Sequence, residues 1–291
     1  MASKGLSDNH TLVAVSCGKP SGIKRKRAAA RELAAHKRSD ARRTKVMVDT
    51  FRELVADIGS NNQGGRDKLV SKSLLFGEKG YRLVPNEILA DLLAELRRHE
   101  IENDRLAREA ADLLPAQIKR DRKELGELFD EADYPDRETF ISKCKFKVDL
   151  AVVPDPSQDV RAGFSPEHQE RMRETVERQN NEKVKCAVDD LVENIVKEVE
   201  KIIDRTAKYT GKREGSFRDT LTQSARSFAD LLKHANITND PAIEDVRQRL
   251  LRDICPVDAQ DLRDDPELRK KVNADASEIR DILKRVGQFG K

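Results

Sequence analysis

Residues Ser165 to Tyr209 carry one unbroken amphipathic pattern, and a run of that length limits what the chain can fold into. Apolar residues stand at Met172, Val176, Val184, Val188, Leu191, Ile195, Val199 and Ile202, separated by three, four or multiples of these. Glu, Lys, Arg and Asp fill the other faces. Ser165 is a suitable N-cap and Pro166 a suitable first helical residue, so the spacing predicts a single helix of about 45 residues, roughly 65 to 70 Å long. A rod of that length points to an elongated chain built for contact with other chains.

Composition agrees with long helices. Charged residues and hydrophobic residues each make up 37% of the 291 positions, tryptophan is absent and the aromatic share is 4%. Such a chain has a thin core and coiled-coil character, yet its sustained Val, Leu and Ile stripes separate it from a disordered polyampholyte. A net charge of +3 hides a local asymmetry. Between Lys19 and Lys45 stand eleven basic residues and only two acidic ones, Glu32 and Asp40, which leaves a +9 segment on a body of about −6.

Before that segment the chain is polar, with Pro20 and Gly22 as breakers and Thr11 to Val15 able to form a short edge strand. The pattern predicts a helix from Lys24 to Ile58, closed by a flexible loop at Gly59, Ser60, Asn61, Asn62, Gly64 and Gly65. A β-hairpin is expected over 68–84, where Leu69 to Phe76 and Tyr81 to Val84 flank Gly77-Glu78-Lys79-Gly80. A second long helix starts at Pro85-Asn86, carries Leu89, Leu92, Leu96, Leu106, Ala110 and Leu113, and meets Pro115, which should kink or break it. A short helix from Arg137 to Cys144 precedes a strand near 146–152. Three helices end the chain, started by Ser216 with Asp219, by Asp240-Pro241 and by Asp265-Pro266. The fold expected is mainly α, with long antiparallel helices and a small β element. Its segments are 1–23, a basic helical arm at 24–65, a long-helix body at 66–211 and a C-terminal helical bundle at 212–291.

Little of this points to catalysis. Cys17-Gly18-Lys19-Pro20-Ser21-Gly22 lacks the spacing of a phosphate loop. Cys17, Cys144, Cys186 and Cys255 are too scattered for a zinc or redox pair, and His10, His36, His99, His168 and His234 form no ligand pair. No Ser/His/Asp or Cys/His signature is present. The expectation is a non-enzymatic protein without cofactor, metal or small-molecule substrate. With neither a signal peptide nor a membrane span, it belongs in the cytoplasm.

Two candidate sites remain. Lys24, Arg25, Lys26, Arg27, Arg31, Lys37, Arg38, Arg42, Arg43 and Lys45 are candidates for nucleic-acid or anion binding, because clustered cations release counterions from DNA or RNA. No aromatic residue interleaves them, so sequence preference would be weak. The same cations could instead pair with the acidic body. Met172, Val176, Val184, Val188 and Leu191 are candidates for self-association or a partner interface, although the stripe can also pack against Leu89 to Leu113 within the chain.

Several strings, in order, resemble a family of uncharacterised helical proteins from bacteriophages and bacterial mobile elements. They are Gly80-Tyr81-Arg82-Leu83-Val84-Pro85, Ala132-Asp133-Tyr134-Pro135-Asp136, Phe146-Lys147-Val148 with Val153-Pro154-Asp155, Val160-Arg161, Phe217-Arg218-Asp219-Thr220, and the stretch from Leu231 to Pro241. The resemblance spans roughly residues 66 to 250 and leaves out the basic arm. It implies a helical, non-catalytic protein and, because some members are encoded near AAA ATPases of the MoxR or CobS type, an ATPase partner. The combined expectation is a phage-type intracellular scaffold or adaptor that associates with itself or docks on a protein. The alternative is a nucleic-acid-binding protein.

Overall fold

The computed structural model describes residues 6–40, 42–77, 80–155, 164–209, 220–236 and 240–288. Within them the chain is mainly helical, with a small antiparallel sheet. In chain order the elements are α1 (Leu6–Asn9), β1 (His10–Gly18), β2 (Ile23–Arg25), α2 (Arg27–His36), β3 (Met47–Asp49), α3 (Ala56–Ser71), β4 (Leu74–Leu75) and β5 (Arg82–Pro85). Then follow α4 (Asn86–Glu124), α5 (Arg137–Lys143), β6 (Lys145–Val152), α6 (Pro166–Lys208), α7 (Thr220–Ala235), α8 (Pro241–Arg249), α9 (Ala259–Asp264) and α10 (Pro266–Gln288). The strands are ordered β4-β5-β1-β6, with β2 and β3 as a separate ribbon. The chain divides into two compact units, each made of separated segments.

The first unit comprises Met1–Ala14, Leu69–Leu92 and Leu150–Lys291. Its central element is α6, 43 residues long and capped by Ser165, whose hydroxyl accepts from the His168 amide. The apolar stripe buries Val184, Ala187, Leu191, Val192, Ile195, Val199 and Ile202. The face that covers it belongs mainly to α10, where Val272, Ala276, Ile279 and Leu283 recur at helical spacing and are each no more than 2% exposed. The expected partner, the Leu89 to Leu113 stripe, does not take that place. Leu113 is 55% exposed, while Leu92 and Leu96 are buried. Asn273 stitches α10 to α6 by donating to the Ile203 carbonyl at 2.8 Å and to Thr206 Oγ1 at 2.7 Å. Burying that much aliphatic surface, at about 25 cal/mol per Å², is the main force holding this layer.

Local chemistry starts the smaller helices where the sequence indicates. Asp240 caps α8, with Pro241 at its first turn, and Asp265 accepts from the Glu267 and Leu268 amides at the head of α10. A π-turn at Leu250–Ile254 and the six-residue α9 lie between them and are not visible in the sequence pattern. The expected cap at Ser216 and Asp219 lies outside the described residues. The hairpin is shorter than the 68–84 expected, because the chain stays helical to Ser71: Leu74 lies opposite Leu83 and Leu75 opposite Arg82, with positive φ at Gly77 and Gly80. The strand expected at an edge is central: β1 pairs with β5, Leu12 opposite Leu83, and lies between β5 and β6.

The second unit comprises Val15–Lys68 and Leu93–Asp149. Its core gathers Phe51, Val55, Ile58, Ala107, Ala110, Ala111, Leu114, Tyr134, Phe140 and Cys144. Phe51 meets Phe140 edge-on at 5.6 Å and Tyr134 at 6.1 Å. Helix α4 runs through Pro115 without a break. Strand β6 and the short helix α5, capped by Asp136, stand where the sequence places them.

Two expectations fail in this unit. No helix joins Lys24 to Ile58: the stretch is strand, ten-residue helix, loop and strand, because Ile23, Lys24 and Arg25 pair with Asp49, Val48 and Met47. And the Gly59–Gly65 stretch is not a loop but the middle of α3. A Cβ on Gly65 would come within 2.4 Å of the Phe146 ring, and one on Gly64 within 3.2 Å of His99. The glycines let α3 approach those rings closely, so tertiary contact overrides poor helix propensity. His99 stacks on Phe146 at 6.0 Å and trades hydrogen bonds with Asn61, which donates to the His99 carbonyl at 2.8 Å.

Candidate nucleic-acid interface

The ten arm cations fall on one β-α-β element of the second unit, formed by β2, α2, the loop after it and β3. The ribbon extends beyond its strands: the Lys26 amide donates to the Val46 carbonyl at 3.0 Å, and the Thr50 amide to the Gly22 carbonyl at 2.8 Å. Gly22 has φ +65°, and a Cβ there would meet the Arg52 amide nitrogen at 2.4 Å, so glycine is required at this corner. Gln117 of α4 anchors the ribbon by donating to the Thr50 carbonyl at 3.1 Å and to Asp121 at 2.8 Å. Asp121, 4% exposed, also accepts from the Tyr134 hydroxyl at 2.5 Å. Burial and that carboxylate push the Tyr134 phenol well above its usual range, so it stays a donor.

Helix α2 buries Ala30 and Ala34 alone, small residues that add little apolar burial. Its first turn has no acidic residue and no side-chain cap, so the positive end of the helix dipole adds to Arg25 and Arg27. Hydrogen bonds shape the described residues of the loop after α2. Arg38 takes φ +49°, the Ser39 amide returns to the Ala34 carbonyl at 2.8 Å, and the Asp40 carboxylate accepts from the Arg42 amide at 2.8 Å. Asp40 is thus engaged with backbone and neutralises no arm guanidinium.

Arg25, Arg27, Arg31, Lys37, Arg38, Arg42, Arg43 and Lys45 are all exposed, and Lys24 is half-buried. Among the described residues none of these nine makes an ion pair. Lys26 differs, since its ammonium lies 2.5 Å from Asp133 and 3.8 Å from Asp130 and fixes the start of α2. Among the described residues, the pairing of arm with acidic body is therefore confined to one lysine. Leu33 and Met47 are 42% and 55% exposed among the cations, two apolar contacts that the charge count alone did not reveal.

The interface residues expected on α6 divide differently. Val184 and Leu191 are in the core of the first unit, Val188 packs half-buried against it, and Met172 and Val176 are half-buried. Burial leaves Val184 and Leu191 with no surface to offer a partner.

Among the described residues no cluster of three or more His, Cys, Asp or Glu side chains has the arrangement of a metal site, and no helix is long and apolar enough to cross a membrane. No family model matches the chain, and neither curated proteins nor solved structures include a significant match.

Proposed function

We propose that the protein binds the phosphate backbone of nucleic acid through the β2-α2-β3 element. The observation that carries this reading is that nine arm cations, eight of them exposed, make no ion pair among the described residues. Clustered cations without carboxylate partners bind a polyphosphate strand by releasing condensed counterions, and the binding weakens as salt rises. With no exposed aromatic in the element to stack on bases, recognition is of backbone and shape and not of sequence. The test is fluorescence anisotropy of labelled duplex and single strands across a salt series. Replacing Arg25, Arg27, Arg38, Arg42 and Arg43 by Ala is expected to flatten the log–log salt slope by up to about 4. Lys26 is left out because it supports the fold. Unchanged affinity and slope would end this reading.

A second reading, a non-catalytic helical scaffold that associates with itself or docks on an ATPase of the AAA type, draws on the start of α6. No residue of that helix is buried before Asn180, while Met172 and Val176 are half-buried and the preceding Phe164 is 48% exposed. Light scattering at high concentration tests it, and a strictly monomeric chain that captures no ATPase would exclude it.

A further inference from the structure

The β2-β3 ribbon has two unlike faces. Ile23 lies opposite Asp49, Lys24 opposite Val48 and Arg25 opposite Met47, and the amide bonds from Lys26 to Val46 and from Thr50 to Gly22 carry the same register past both ends. Side chains alternate between the faces along each strand, and directly opposed residues share a face. One face therefore holds Gly22, Lys24, Lys26, Val46, Val48 and Thr50, all of them buried or half-buried. The other holds Ile23, Arg25, Met47 and Asp49, and all but the half-buried Ile23 are exposed.

Burial turns the first face to the protein and leaves the second to solvent. Lys26 is on the inner face, which is why it alone of the arm cations reaches Asp133. On the outer face the opposed pair of Arg25 and Met47 sets a cation with no ion pair among the described residues beside an apolar side chain that is 55% exposed. Antiparallel geometry brings the Cβ atoms of such a pair to about 5 Å. Arg27 and Lys45, both exposed, continue the alternation where the strands end. Asp49 is the one acid of this face. It accepts from the Arg52 amide at 3.3 Å, at the end of the ribbon where Gln117 holds the Thr50 carbonyl.

We propose that this outer face enters the major groove of duplex DNA, with Met47 toward the base edges and Arg25, Arg27 and Lys45 toward the phosphates that border the groove. The proposal rests on the reading of the arm as a nucleic-acid interface and names the form that is bound. Charge selects a polyphosphate, but charge alone gives no use to a methionine exposed among the cations. Two strands about 4.8 Å apart make a ribbon that the B-form major groove, about 12 Å wide, admits. The major groove of an RNA duplex is deep and narrow and shuts such a ribbon out. Within the B-form groove Met47 gains what the phosphates cannot give it, contact with base edges such as thymine methyls and removal of its own surface from water.

Fluorescence anisotropy of the full chain with a DNA duplex and with the RNA duplex of the same sequence, across one salt series, tests it. The DNA duplex should bind about tenfold more tightly than the RNA duplex. Met47→Ala should weaken binding to duplex DNA about fivefold and leave binding to duplex RNA unchanged. Its salt slope should match the wild type, because methionine displaces no counterion, and its thermal midpoint should not fall, because the side chain is exposed. Arg25→Ala should weaken binding to both duplexes and reduce the slope by about 1. Equal affinity for the two duplexes, or a Met47→Ala chain that binds DNA as tightly as the wild type, would overturn the groove proposal while salt-dependent backbone binding stood. Binding to neither duplex would overturn both readings.

Discussion

Helix α6 and the β2-α2-β3 element are both dense in charge, and they use it in opposite ways. On α6 the solvent side is laced with pairs: Lys197 with Glu193 at 2.7 Å, Lys201 with Glu198, Lys208 with Asp204 at 2.9 Å, and Lys284 of α10 with Glu200 at 2.9 Å. Its apolar side is consumed by the core. On the basic element one lysine is paired and nine cations are not, among the described residues, and α2 buries only Ala30 and Ala34. Charge on a helix with acids one turn away is a solvated face. Charge whose nearby acids make no ion pair with it, as for the arm cations other than Lys26 among the described residues, is available to an external anion.

The largest expected effect belongs to the first region. Ile195→Ala, at a fully buried position, should cost about 2 to 5 kcal/mol of unfolding free energy in a urea titration. A loss below 1 kcal/mol would mean that α6 does not depend on its stripe, and the contrast with the arm would fail. Next comes the arm. The five-arginine variant should lose about 100-fold in duplex affinity near physiological salt, while its unfolding free energy moves by no more than about 0.5 kcal/mol per site. A large fall in stability instead would show that the cations hold the fold together.

Gly65→Ala sharpens the comparison from inside the second unit. Helix propensity alone favours alanine by about 1 kcal/mol, but contact with Phe146 predicts a net loss of about 1 to 3 kcal/mol. A gain in stability would refute the close packing of α3. The smallest effect is expected for Lys197→Ala on α6. Its pair with Glu193 is exposed on both sides, so the change should be near 0.5 kcal/mol or less and should shrink further in high salt.

What the sequence made legible follows from the range of the interaction responsible. Ser165-Pro166, Asp240-Pro241 and Asp265-Pro266 announce helix starts because capping acts within three residues, and α6, α8 and α10 begin there. Helix α3 was illegible because the partners that make its glycines favourable, His99 and Phe146, stand far along the chain. The arm was legible in part. Its cations could be counted, but that Asp40 caps backbone and that Lys26 alone meets Asp133 are facts of tertiary structure. The choice of α10 over α4 as the cover of α6 was equally hidden, since both carry a competent stripe.

The first unit draws on the chain's opening residues, its middle and its end: Leu6 and Leu12 share one cluster with Ile279 and Leu283. During synthesis the core that holds Leu6 and Leu12 therefore closes only after Leu283 has been made, whereas every residue of the second unit is present once Asp149 has emerged. The stretch from Leu150 onward shares its cluster with Leu6, Leu12, Leu74, Phe76 and Leu83, so expressed alone it would lack part of its own core, whereas the second unit is the part that a nascent chain can finish first.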